Sequence, residues 1–181
     1  MNYLKINLSG VLQYFSDNNT ITLRKTYNSS LYPTKNAIVG LIASAFGYDR
    51  GDMRSDELYN NIKVKYKVIK SPIILEDFQT IHNLKSQNRY MNKFYTKNKF
   101  TTISGTIKDR QLTKYVQYLQ DSEFDIYIGG IDKQLNDIYN ALRNPKYSLY
   151  IGKRCCIPNK PLVTEFKLYK EEELDNVYDC S

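Results

Sequence analysis

The stretch Lys35–Phe46 reads KNAIVGLIASAF and is apolar on almost every side of a helical wheel. A helix of that kind has no face to offer water, so it must be covered by other elements on most sides. Its limits are marked in the chain. Pro33 and Thr34 precede it, with Thr34 suited to cap the free N–H groups, and Gly47 follows as a left-handed stop. Gly40, Ala43, Ser44 and Ala45 are small enough to let a neighbouring layer approach closely. Hydrophobic residues make up 41% and charged residues 25% of the 181, so there is material for the core that such a helix requires.

What covers the helix is legible as strands. Residues 3–9 alternate, with Leu4, Ile6 and Leu8 on one face and Tyr3, Lys5, Asn7 and Ser9 on the other. Gly10 is expected to end that strand, with a loop over 10–19 and a short strand or extended arm over 20–27. A second short helix is expected over 52–61. Residues 63–70 alternate again, Val64, Tyr66 and Val68 against Lys63, Lys65 and Lys67, and the next strand, 72–80, is expected to pair with them as a central hairpin. A strand over 124–130 precedes an amphipathic helix. Asp132 is its expected cap, Leu135, Ile138, Tyr139 and Leu142 its apolar stripe, and Pro145 its end. A last strand falls within 162–170. The order strand, helix, strand, strand, insert, strand, helix, strand predicts an α+β fold of the ferredoxin-like β-α-β-β-α-β plan, as in RNA-recognition domains. It forms one domain over residues 1–170, followed by an acidic tail, 171–181, expected to be flexible.

The formal charge is +7 with a pI of about 9.1, which points to a polyanionic partner, nucleic acid before membrane. The tail hides part of the excess. With Glu171, Glu172, Glu173, Asp175 and Asp179 set aside, residues 1–170 hold 14 acids against 26 bases, a surplus of 12. The most basic segment is the insert 82–115. Lys85, Arg89, Lys93, Lys97, Lys99, Lys108, Arg110 and Lys114 stand there against the single acid Asp109, with Tyr90, Phe94, Tyr95, Phe100 and Tyr115 between them. Cations that neutralise phosphates and rings that stack bases are the means by which proteins hold single-stranded nucleic acid.

Catalytic and metal constellations are sparse. There is one His, His82, and the three Cys, 155, 156 and 180, form no C-x-x-C pair, so no zinc site is expected. Adjacent Cys155 and Cys156 suit packing and a reducing cytoplasm. Glu76 and Asp77 are neighbours on one strand and point to opposite faces. The start of the chain has no signal-peptide pattern, and no apolar run is long enough to span a bilayer. No metal or cofactor is expected. A metal-independent ribonuclease stays open, because RNA brings its own 2′-hydroxyl nucleophile and needs only a Tyr, Lys or His beside it.

Several separated motifs resemble one family. "LSGVLQYF" (8–15), "RKT" followed by "YPTKNAIVGLIASAFGYDRGD" (32–52), "DFQTI" (77–81), "YLQDSEFDIYI" (118–128) and "NALRNPKYSLYIGKRCCIPNKPL" (140–162) are similar, in order, to the blocks of the CasD family of type I-E CRISPR Cascade subunits. The resemblance implies a RAMP domain of ferredoxin-like plan with the insert 82–115 as its thumb. It implies antiviral defence, a non-catalytic role holding the 5′ handle of CRISPR RNA, and contacts to the CasC backbone subunit and the CasA large subunit. A related subtype uses the equivalent protein as the processing ribonuclease. Gln79 stands where the family usually has His, and Val116 where Arg is common. Family members usually continue past the last block, so a shortened copy acting as an antagonist of Cascade assembly is a further expectation, and a plain protein-interaction module another.

The residues expected to contact RNA follow. Arg24 and Lys35 would take phosphates, Lys35 from the first helical turn where the free N–H groups also favour an anion. Gln13 and Tyr14, after the first strand, would meet a base edge or face. Lys153 and Arg154 follow Gly152, which lets backbone come close to a ligand. Arg89, Lys93, Lys97, Lys99 and Arg110 would serve from the thumb. Arg50 is expected to pair with Asp52 or to meet an anion.

Overall fold

One strand of twenty residues, Gln111–Gly130, organises the fold. In the computed structural model, which describes residues 1–21, 26–82, 99–101, 107–109 and 111–180, the elements in chain order are as follows. Strands β1 (Asn2–Gln13), β2 (Ser16–Ile21) and β3 (Thr26–Ser29) precede helices α1 (Lys35–Phe46) and α2 (Met53–Asn61). Strands β4 (Lys63–Lys70), β5 (Ile73–His82), β6 (Lys99–Thr101), β7 (Ile107–Asp109) and the long β8 (Gln111–Gly130) come next. Helix α3 (Asp132–Arg143), β9 (Leu168–Lys170), a 3-10 turn over Glu171–Glu173 and β10 (Tyr178–Asp179) complete the chain.

The main sheet runs β10-β4-β8-β1-β9, and all of these pairings are antiparallel. β1 lies along residues 119–130 of β8, and β4 along 123–129. β5 does not pair with β4 as the alternation suggested. It runs antiparallel to residues 111–120 of β8, from Ile73↔Gln120 to His82↔Gln111. β4 and β5 are therefore successive partners of one strand, not a hairpin. The change of partner falls at Asp121, a non-glycine residue at φ 55° whose carboxylate pairs with Lys70 at the end of β4. β6 and β7 form a separate two-stranded sheet between β5 and β8. β3 adds to β8 in parallel, Tyr27 opposite Val116.

β1 runs on past Gly10 to Gln13, where the sequence suggested a loop. Gly10 here makes room and does not break the strand: a Cβ would meet the Ile157 carbonyl oxygen at 3.1 Å. The neighbouring Ser9 carbonyl accepts a hydrogen bond from Asn159 N–H at 2.8 Å. The alternation is otherwise as read. Leu4, Ile6, Leu8, Phe124, Ile126, Ile128 and Val64 form the buried side of the sheet, closed by Ile38, Ile42, Leu135, Ile138 and Leu142 of the helices. Burying a side chain such as Ile42 contributes about 1.5–3 kcal/mol through removal of apolar surface from water.

Thr34 caps α1, accepting from Ala37 N–H, and Gly47 at φ 77° ends it by donating to the Ala43 and Ser44 carbonyls. One flank of α1 remains open. Gly40 is exposed with nothing within 4 Å of a Cβ built there, so it does not serve a neighbouring layer. Asp52 caps α2, and its partner is Arg54, not Arg50: Arg54 Nη2 lies 2.5 Å from Asp52 Oδ2. α3 departs from expectation at its start. Position Ile131 is its cap, without a side-chain bond, while Asp132 accepts from Asn2 Nδ2 at 2.7 Å.

The segment after residue 160 is extended but pairs as a strand only over β9. The acidic tail, expected to be flexible, is attached to the sheet. Glu171 pairs with Lys65 at 2.9 Å and accepts from the Tyr3 hydroxyl, and β10 lies opposite Lys65 and Tyr66. The β10 ladder on β4, the Tyr178 ring on Tyr66 and Cys180 packed against the core hold the tail there, with the Lys65–Glu171 pair beside them. Among the described residues no helix is long and apolar enough to cross a membrane.

Two outcomes are expected from these caps. Thr34→Ala lowers unfolding stability by about 1 kcal/mol in urea titration, the usual loss for an N-cap oxygen. The Arg54 guanidinium and the Arg54 N–H hold the Asp52 carboxyl down at about 2, against an ordinary 3.8. The folded form therefore holds the carboxylate more tightly than the unfolded chain. That contribution is complete above 3.8 and is lost as pH falls toward 2. Asp52→Asn keeps a capping side chain and loses this dependence, so the difference in melting temperature between parent and variant shrinks across that window.

Candidate nucleic-acid interface

Tyr14 leaves the end of β1 and meets the turn 150–156. Its N–H donates to the Ile151 carbonyl at 3.1 Å, and the turn closes through Ile151 N–H to Cys156 O and Cys156 N–H to Lys153 O, both 2.8 Å. Gly152, at φ 96°, fits because a Cβ would overlap the Tyr14 carbonyl oxygen. Glycine is required by conformation and by space at once. The effect is to aim Lys153 at the side chain of Tyr14.

The Lys153 amine lies 3.8 Å from the centre of the Tyr14 ring, 5.2 Å from that of Tyr118 and 5.7 Å from that of Tyr27. Tyr118 comes from β8 and meets Tyr14 edge to face, centroids 6.3 Å apart. Tyr27 comes from β3 and is 47% exposed. A second cation, Lys114 of β8, stands 5.8 Å from the Tyr27 ring. A cage of three rings around one ammonium is cation–π chemistry, strongest where water is partly excluded.

The electrostatics of the cage are unbalanced. Burial holds the Lys153 amine below the ordinary lysine range, and the nearby Lys114 charge adds to the effect. No carboxylate forms an ion pair with either lysine among the described residues. Burial, with the Cys155 thiol donating to its hydroxyl at 3.7 Å, pushes Tyr118 up to about 12, so it remains a neutral phenol. Cys155 is exposed and Cys156 buried, both as free thiols. Gln79 joins from β5, bonding to Tyr118 and donating to Asp77 Oδ2 at 2.6 Å.

Of the residues picked from sequence, Tyr14 and Lys153 are brought together, with Arg154 exposed on the same turn. Gln13 is not at the surface. It is fully buried and donates to the Ser122 carbonyl at 2.7 Å, because adjacent positions on a strand face opposite sides. Lys35 already has a partner: its amine sits 4.3 Å over the Tyr59 ring of α2. Arg24, Arg89, Lys93, Lys97 and Arg110 lie outside the described residues, as does the side chain of Lys99. Val116 is buried at 1% exposure, so no phosphate contact arises from that position. Sequence reading did not single out Tyr27, Lys114 and Tyr118 as site residues. The signal for them was pairing, since β3 and β8 bring residues 27 and 116 side by side. No group of three or more metal-ligating side chains occurs among the described residues.

The architecture has known counterparts. The Cascade subunit CasD of Escherichia coli (strain K12) is 21% identical over 164 residues, covering 88% of this chain and 69% of that protein. A chain of a solved CRISPR RNA-guided surveillance complex matches with a TM-score of 0.71 at 24% identity, over 88% of this chain and 61% of its own length. A solved Cas protein matches with a TM-score of 0.58 at 23% identity, over 96% and 65%. The chain thus spans less than two thirds of the length of those two solved chains. The family model described as CRISPR-associated protein (Cas_Cas5) matches residues 3–180, almost the whole sequence, and the chain belongs to that family.

Proposed function

We propose that this chain is a CRISPR RNA-binding subunit of a Cascade-type antiviral surveillance complex, and that it holds the 5′ repeat handle without cutting it. The Lys153 cage carries the reading. An ammonium set among three tyrosine rings, with a second lysine close by and only Asp77 acting on it from beyond ion-pair distance, has no directly paired anion among the described residues. A phosphate supplies it, and the exposed part of Tyr27 offers a face for a base. Arg154, exposed on the same turn, extends the cationic surface.

The sheet order β4-β8-β1-β9, with α1 and α3 against one face, supports a ferredoxin-like RAMP reading in which β5 and the first half of β8 form the base of a thumb. The β5 side chains Ile73, Ile74 and Phe78 are 62%, 52% and 55% exposed. Apolar exposure of that extent suits contacts with neighbouring subunits. By the family resemblance these are the CasC backbone subunit and the CasA large subunit, in the cytoplasm.

One observation favours a second reading, a metal-independent endoribonuclease. A lysine whose amine is held below its ordinary range loses its proton more readily and so is more available as a general base, and the Tyr118 hydroxyl beside it keeps its proton. Binding and cutting are separable in one experiment with repeat-derived RNA in a metal chelator. The handle-binding reading expects RNA to be bound and recovered intact. Lys153→Ala should weaken binding about tenfold, in line with a lost charge-assisted hydrogen bond. It should also reduce the slope of log affinity against log salt by about 0.7. Fragments produced by the parent and absent with Lys153→Ala would establish the ribonuclease instead.

A further inference from the structure

A second cluster of aromatic rings lies at the β4 edge of the sheet, apart from the Lys153 cage. Tyr32, in the segment between β3 and α1, stacks on Tyr66 of β4, with centroids 5.3 Å apart and planes inclined by 23°. Tyr178 of β10 lies on Tyr66 at 5.6 Å and 35°. Tyr66 is the half-buried middle ring, packed against the core, while Tyr32 and Tyr178 are 43% and 60% exposed. The three rings border a cleft of about 700 Å³ whose polar members are Lys67, Ser71 and Asn176. Lys67 has no ion-pair partner among the described residues.

Sheet pairing explains part of this cluster only. Tyr178 is opposite Tyr66 in the ladder, and a cross-strand aromatic pair stabilises a sheet edge. Tyr32 belongs to no strand, yet its ring is aligned with Tyr66 and stays 43% exposed. Exposed rings at a cleft that Lys67, Ser71 and Asn176 also line offer the chemistry that receives an unpaired nucleobase and its phosphate. Rings stack any base, and the cation neutralises the backbone. An apolar protein segment would have no use for Lys67, and an acidic one no use for the ring face.

The cluster is also in reach of the cage. Tyr27 and Tyr32 are five residues apart, so their Cα atoms lie within about 18 Å of each other. We propose that Tyr32, Tyr66, Tyr178 and Lys67 form a second stacking platform for single-stranded RNA, engaging bases of the same strand whose phosphate meets Lys153. This rests on the RNA-binding reading above and adds to it a separate subsite.

The chain contains no Trp, so Tyr178→Trp gives a single emitter on the platform. The probe is a random-sequence 20-nucleotide single-stranded RNA at low salt, beside a strand of the same length and charge without bases. The expected result is quenching of the tryptophan by the base-bearing strand and not by the abasic one. Tyr32→Leu with Tyr178→Leu, leaving Tyr66 in the core, should weaken RNA binding about ten- to a hundredfold, the range for one or two lost stacking faces. Unchanged emission together with parental affinity in the double variant would overturn the platform, and would leave the Lys153 reading standing if Lys153→Ala still weakens binding. Equal quenching by both strands would also overturn it, since charge alone would then be at work. A parent chain that binds neither strand would remove the RNA-binding reading and the platform with it.

Discussion

The two hydrogen-bonding edges of β8 are what the rest of the molecule is registered on. Residues 123–129 have β1 on one side and β4 on the other, and residues 111–120 carry β5. A strand that long cannot keep a single partner without a matching strand of equal length. The chain instead divides the edge between β4 and β5, placing the break at Asp121 and Lys70. Everything that forms the cage depends on this arrangement. Tyr118 and Lys114 lie on the β5-paired half, Tyr14 follows the strand that pairs with the other half, and β3 enters alongside residues 115 and 116. The cage lies where the two halves of the sheet meet.

Charge is sorted in space more than it is abundant. On the palm, lysines are paired by the protein's own acids: Lys5 with Asp125 at 2.7 Å, Lys65 with Glu171 at 2.9 Å, Lys160 with Glu123 at 2.7 Å. Such exposed or half-exposed pairs contribute little to stability. Their effect is on where a polyanion finds unbalanced charge. Glu171 of the acidic tail takes Lys65, while among the described residues Lys114, Lys153 and Arg154 have no ion-pair partner, the two lysines lying against aromatic rings. A net charge figure for the whole chain conveys none of this, because it averages a neutralised surface with one that is not.

Local chemistry was legible in the sequence and long-range pairing was not. Thr34 and Gly47 cap α1 as residue type alone requires, and the apolar stripe of α3 is the buried one. The hairpin expected over 63–79 failed because β4 and β5 alternate equally well, and alternation carries no information about which strand lies alongside. Gln13 and Tyr14 show how fine the margin is at a site. They are neighbours, yet one is sealed in the core and the other faces Lys153. The contact of Lys35 with Tyr59, twenty-four positions on, could not be placed from the sequence. Lys153 was legible because Gly152 next to it signalled a close approach of backbone, although the approaching group proved to be the protein's own Tyr14 carbonyl.

His82 and Gln111 are opposite each other in the β5–β8 ladder, so the chain leaves the sheet and returns to it at one point. The whole stretch between them is tethered at its two ends to a single rung. Closing a longer or shorter stretch over the same rung alters the free energy of folding only logarithmically, about 0.6 kcal/mol for each doubling of length. The registers of β5 and β8 are therefore set by this rung and not by the number of residues that it joins. On the proposed RNA-binding reading, the length of what this rung joins is a variable separate from the fold.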